Sequence, residues 1–171
     1  MNATAVMGIG ERLELLVDDG LVAALGGQAC LRLHHPTPRE IVLTTNRPWE
    51  GNMCGGYKTV FRDGAVCRLY YQAWNGDIVE ADGKASLREA PIRIAYAESA
   101  DGIHWRRPSL GLIAFNGSTD NNLVWEGQGK EQAGVHGFAP FKDANPACPP
   151  EARYEAVGAT ADIRDRSLYA M

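Results

Sequence analysis

Few residues in this chain are placed to do chemistry. Glu50 stands between Trp49 and Gly51, with Asn52 just beyond. Asp143 follows Lys142 and precedes Asn145-Pro146, where a short acidic side chain can cap a turn. His136 is flanked by Gly134 and Gly137, and glycine lets backbone approach a ligand closely. Cys30, Cys54, Cys67 and Cys148 form no C-x-x-C pair. Zinc sites usually show paired spacing, so the sequence predicts no metal site and buried free thiols instead. His34-His35 precede Pro36 in a loop without further ligands beside them. No cofactor is expected.

Composition narrows the partners. The 171 residues are 45% hydrophobic and 22% charged, with a net charge of −4. No apolar run approaches the roughly 18 residues of a membrane span, and apolar residues are too plentiful for a disordered chain. Lys and Arg number 17 against 21 Asp and Glu. The densest basic spots, Arg106-Arg107 and Arg164 to Arg166, are short and read as solvated strand ends, so nucleic acid is not an expected partner. MNATAVMGIGERLELL has neither a basic n-region nor a long apolar core, which is not a signal peptide. A cytoplasmic location is the default, with secretion left open for a longer parent protein.

The elements that must position these residues are short strands. Leu13, Leu15 and Val17 alternate as a strand does, and Leu31 to Leu33 and Ile41 to Thr45 follow as short strands. Asp18-Asp19 before Leu21 to Leu25, closed by Gly26-Gly27, reads as one helical turn with an Asp cap and a Gly stop. Tyr57 to Phe61 and Val66 to Trp74 read as a hairpin turning at Arg62-Asp63-Gly64. Asn75 to Glu89 reads as a polar loop. Ile92 to Glu98 alternates again, and Ser99 to Gly102 turn it into Ile103 to Arg106. No segment holds a 3.6-residue apolar period, so the expected class is all-β.

The chain also echoes itself. Trp49-Glu50-Gly51 recurs at Trp125-Glu126-Gly127. Tyr57 to Phe61 then matches Phe138 to Lys142, Arg68-Leu69-Tyr70 matches Arg153-Tyr154, and Ile94 to Ala97 matches Ser167 to Ala170. Changing spacing between the matches fits repeats with different insertions. Two copies of one multi-stranded β unit are expected.

At this point a family becomes recognisable. Arg47 to Asn52 (RPWEGN), Tyr96 to Leu112, Phe115 to Gly127 and His136 to Gly158 together resemble the five-bladed β-propeller glycosidase superfamily of invertases, levansucrases and arabinanases. The nearest likeness is to its glycosyl-hydrolase-like bacterial branch. Ser99 to Trp105 also resembles the Asp-box of sialidases but lacks a residue between Asp101 and Gly102. There Asp101 and Ser99 are expected to cap a turn, with Gly102 at positive φ and Trp105 packed between blades.

The resemblance implies a ligand at one mouth of the propeller axis and three acids there. One carboxyl group protonates the leaving oxygen and another attacks or activates water. A third holds the distorted ring through its hydroxyls. Phe141-Lys142-Asp143 resembles the second-blade Arg-Asp-Pro motif, which makes Asp143 a transition-state stabiliser and Lys142 a substrate contact; a turn-capping role is the alternative. The first-blade spacing lands near Gly56-Tyr57, where no acid stands, so Glu50 is the nearest catalytic candidate. Trp49 would stack on a sugar or lie in the core, and Asn52 and His136 would touch the sugar. Glu98 is expected in a ladder or ion pair.

The expected layout is a lead-in over 1–46, a first blade over 47–124 and an incomplete second blade over 125–171. That is a partial propeller of about two blades, the N-terminal part of a longer protein. The remaining blades would be its structural partners and carbohydrate its ligand. The parent would be a glycosidase, and this fragment inactive without the third acid. A non-catalytic carbohydrate-binding propeller and a glycoside phosphorylase are the alternatives.

Overall fold

The densest β-forming stretch of the sequence builds the centre of the fold. The structure, a computed structural model, describes residues 8–11, 14–15, 18–52, 56–89, 91–127, 134–159 and 168–170. β1 (Thr59–Asp63) and β2 (Val66–Ala73) pair antiparallel with Asp63 opposite Val66. Their two-residue link is Gly64-Ala65, with Gly64 at φ 61° in the first central position, which type II′ turns reserve for glycine. The turn thus lies one residue beyond the expected Arg62-Asp63-Gly64, and Asp63 is a strand residue.

The predicted polar loop after Trp74 is instead a hairpin. β3 (Gly76–Ala81) and β4 (Lys84–Glu89) pair only with each other. Asp82 and Gly83, at φ 52° and 69°, make the type I′ turn that Asp-Gly favours. β5 (Arg93–Ser99) then returns to β2, with Cys67 opposite Ser99 and Ala73 opposite Arg93. β6 (Leu123–Trp125) pairs with β5, completing an antiparallel sheet of order β1-β2-β5-β6. Trp125 therefore belongs to this first sheet, not to the segment after it.

Ile103 to Arg106 is not a strand. Only Arg106 bridges Glu98. The Asp101 carboxylate accepts the Ile103 and His104 amides at 2.8 Å each, which bends the chain out of a ladder. The cap itself is as expected: Gly102, at φ 78°, donates its amide to Ser99 Oγ.

A second sheet has the order β7 (Ala139–Lys142), β8 (Tyr154–Ala159) and β9 (Leu168–Ala170). The sequence echo maps onto strands of equal rank: β1 with β7, β2 with β8, β5 with β9. The chain is all-β, with antiparallel sheets and, among the described residues, two short 3-10 turns. No described helix is long and apolar enough to cross a membrane.

The chain divides into compact units at Met1–Arg39 and Glu40–Met171. In the first unit, the helical turn falls at Asp19–Leu21, earlier than Leu21 to Leu25. Asp18 caps it by accepting the Gly20 amide at 2.8 Å. The described residues of 11–17 and 31–33 form no strand, and Leu15 and Leu33 are exposed; residues 12, 13, 16 and 17 lie outside the described set. In the second unit, 41–45 likewise joins no ladder. Its Leu43 side chain packs on the core while the Thr44 carbonyl binds a side chain. Alternation alone does not make a strand where no neighbouring edge is offered.

Strand pairing sorts the first sheet into two faces. One carries Leu69, Tyr71, Ala73, Ala95, Ala97 and Leu123, covered by Leu43, Trp49, Trp105, Ile113 and Phe115. The other carries Phe61, Arg68, Tyr70 and Tyr96, with Phe61 stacked on Tyr70 at 6.0 Å. On this second face β1 packs against β7. The Tyr57 and His136 rings meet at 5.1 Å just before these two strands begin. Asp63 and Lys142 meet at 2.6 Å where they end. β1 and β7 therefore run side by side in the same direction.

Asp63 joins the two sheets. Oδ1 accepts from Lys142, and Oδ2 accepts from Arg68 Nε at 2.7 Å and the Tyr154 hydroxyl at 2.9 Å. Lys142, then Arg68 and Tyr154, hold the carboxyl well below the usual carboxylate range. A depressed folded pKa stabilises the fold above the unfolded value of about 3.9, and that stabilisation is lost as pH falls toward the lower folded value. Urea midpoints should therefore begin to fall near pH 5 and fall most steeply below the unfolded value of about 3.9. Asp63→Asn should lower the midpoint at neutral pH and flatten this acid dependence; an unchanged acid limb would show that Asp63 does not carry it.

Candidate functional site

Glu50 sits in a tight turn in which its amide bonds the Arg47 carbonyl at 3.0 Å. Its own carbonyl accepts the Trp74 amide at 3.1 Å, tying the turn to the end of β2. Gly51 passes this junction at φ 74°, and a Cβ there would lie 1.9 Å from the Trp74 carbonyl oxygen. Only glycine fits, which explains the residue after Trp49-Glu50.

The Glu50 side chain is fully buried. Oε2 accepts the Asn46 amide at 2.8 Å and the Arg47 amide at 2.9 Å. Oε1 accepts the Tyr71 hydroxyl and Arg107 Nε, both at 2.5 Å. Arg107 also donates to the Thr44 carbonyl. Asn122 Nδ2 donates to the Tyr71 hydroxyl at 2.9 Å, and Asn122 Oδ1 accepts from Trp49 Nε1 at 2.6 Å. Burial, then the Glu50 hydrogen bond, pushes the Tyr71 hydroxyl up to about 12. The network is closed: each Glu50 oxygen has two donors, and neither is open to a substrate.

A polar cleft of about 210 Å³ lies over this network, lined by Arg47, Trp49, Arg107, Asp120 and Asn122 among others. Glu50 does not line it.

The sequence-selected residues do not form one constellation. Asn52 is engaged with the start of β3: its side-chain amide exchanges two 3.0 Å bonds with the Gly76 backbone. Lys142 is engaged with Asp63. His136 is exposed, its ring edge against Tyr57, in a turn that Gly137 closes at φ 66°. Asp143 lies past the other end of β7 and accepts the Asn145 amide at 2.8 Å, which is the turn-capping arrangement. That amide, then the Cys148 thiol, holds its carboxyl below the usual range. At about 3.3 Å per strand residue, β7 separates His136 from Asp143 by more than about 13 Å. The Glu50 turn and Asn52, tied to Trp74 and Gly76, lie at the sheet end where β1 begins.

Three readings from sequence change. Arg107, read as a solvated strand end, is 13% exposed in its side chain, whereas Arg106 is 77% exposed and pairs with Glu98. The two Trp-Glu-Gly copies differ: Glu126 is exposed, 3.5 Å from Arg93, and does not reproduce the buried Glu50. The spacing rule that predicts no metal cluster misses Asp143, Cys148 and Glu155, whose ligand atoms lie within 4.8 Å of one another. Of the predicted buried thiols, Cys148 is buried, Cys67 partly buried and Cys30 exposed; Cys54 lies outside the described residues.

Tyr57, Tyr71, Arg107 and Asn122 are the residues that sequence reading missed. The one local signal was the pairing of Trp-Glu-Gly with a downstream Asn121-Asn122 before a strand. No family model matches the chain, and neither a curated protein nor a solved structure matches it.

Arg107→Ala leaves the Glu50 carboxylate buried without its counter-charge. Removing one partner of such a pair costs about 3–5 kcal/mol. Urea unfolding should show that loss, and Glu50→Gln combined with Arg107→Met should recover part of it. A loss below about 1 kcal/mol for Arg107→Ala, the range of a surface pair, would contradict the closed network.

Proposed function

We propose that the two sheets of this chain are neighbouring blades of a five-bladed propeller of the glycoside-hydrolase type. We propose that the chain serves carbohydrate recognition there. The observation that carries this reading is the parallel packing of β1 and β7. Innermost strands of adjacent blades lie in that way around a propeller axis, and the resemblance of Arg47 to Asn52 and His136 to Gly158 points to the same superfamily. On this reading the structural partners of the two sheets are the other blades of the ring.

The sugar lies at the end where β1 and β7 begin. Tyr57 and His136 present an exposed ring pair there, and an aromatic face beside a polar ring atom suits a pyranose or furanose face. Cleavage would need two carboxyl groups across one bond, about 5–9.5 Å apart. Glu50 is sealed by four donors, and Asp143 caps a turn past the far end of β7. These facts favour binding over hydrolysis by this pair of acids.

Affinity electrophoresis through gels containing arabinan, fructan or xylan tests the reading. At least one polysaccharide should retard the protein. His136→Ala and Tyr57→Ala should each weaken binding about tenfold, or 1.4 kcal/mol, with unchanged circular dichroism, and Asp143→Asn should leave it unchanged. Retardation that is insensitive to both ring substitutions would place the sugar elsewhere. Loss of retardation in Asp143→Asn would restore that residue as a sugar contact.

A further inference from the structure

We propose that Asp143, Cys148 and Glu155 form a binding site for a thiophilic divalent cation of the zinc class. Their ligand atoms converge within 4.8 Å, although they come from three places in the β7–β8 hairpin. Asp143 ends β7. Glu155 lies on β8 opposite Phe141, on the same face as Asp143. Cys148 is folded back by the turn in which its amide bonds the Asn145 carbonyl at 3.0 Å. This face points away from the Lys142–Tyr154 side that meets Asp63, so the cluster has no part in joining the sheets.

The surroundings hold a protonated thiol between acceptors. Cys148 is 8% exposed, and its thiol bonds Asp143 and lies 3.5 Å from the Pro149 carbonyl. The Glu155 side chain is half-buried and, among the described residues, makes neither a hydrogen bond nor an ion pair. Two carboxylates therefore face a buried thiol. The cation nearest by charge is Arg153, whose guanidinium donates to the Cys148 carbonyl at 3.0 Å. A dication would take the place of the thiol proton between the three donors.

The donor chemistry selects the ion. One sulfur and two carboxylate oxygens suit Zn²⁺, which takes Cys, Asp and Glu ligands together; three protein ligands leave a fourth position for water. Mg²⁺ and Ca²⁺ prefer all-oxygen sets. Binding forms one metal–sulfur bond and releases the thiol proton to solvent, with no change of oxidation state. Affinity should rise with pH as that proton becomes easier to displace. The other groups facing the site are the two carboxylates and Arg153. This inference stands apart from the carbohydrate reading and would survive its failure.

Calorimetric titration of the whole chain with Zn²⁺, and optical titration with Co²⁺, test it. One saturable equivalent is expected, with about one proton released per ion. Co²⁺ should give a thiolate-to-metal charge-transfer band that Zn²⁺ displaces, Mg²⁺ leaves unaffected and Cys148→Ser abolishes. Glu155→Gln alters a side chain that has no partner among the described residues, so the fold should persist while affinity falls at least tenfold. No saturable binding would overturn the proposal. So would a Co²⁺ band unchanged in Cys148→Ser, or Glu155→Gln binding with wild-type affinity.

Discussion

The ion pair of Glu50 with Arg107 is the interaction on which the described fold turns. The two residues are 57 positions apart, and each is anchored to backbone besides its partner. Burying two charges is costly, and the interior returns that cost only where every oxygen and proton finds a partner. Here two amides, a phenol and a guanidinium surround one carboxylate. The result is a latch that lays the segment before β1 across the apolar face of β2 and β5. Trp49, which that segment carries, joins the core edge through Asn122. A charged group placed this way specifies one arrangement more than it adds net stability.

Much of the sheet structure was legible from local pattern. Val66 to Ala73 and Arg93 to Ser99 are strands that bury residues on both faces, and their runs of aromatic and apolar residues mark them in the sequence. The β3–β4 hairpin was not legible because most of its described side chains are exposed, so no apolar alternation marks it. Its Asp82-Gly83 turn was the only signal. Ile41 to Thr45 shows the converse, an apolar and β-branched run that joins no ladder. The site was legible only as a set of names. Glu50 beside Trp49 looked like a reactive carboxylate, but it is closed off by partners that include an arginine far along the chain. Asp143, Cys148 and Glu155 come together through hairpin pairing, which linear spacing does not record.

The common direction of β1 and β7 gives the paired sheets two unlike ends. Where these strands begin, rings and the Glu50 turn gather. Where they end, the Asp63 cluster binds one sheet to the other, and Asp143 closes the next turn. One end is thus open and aromatic, and the other is cross-linked by charge. Residues that look like neighbours in a motif, such as Lys142 and Asp143, point to opposite faces of one strand and belong to different structures.

The β3–β4 ribbon leaves between two strands that remain fully paired from Cys67–Ser99 to Ala73–Arg93. Its length is therefore decoupled from the register of the sheet it interrupts. Since closing a longer loop adds entropy only logarithmically, this is where the chain can grow or shrink at least cost. It is a natural port for splicing in a reporter peptide or an affinity handle. It is also a reason why counting residues from one strand to the next misjudges equivalence between distant relatives.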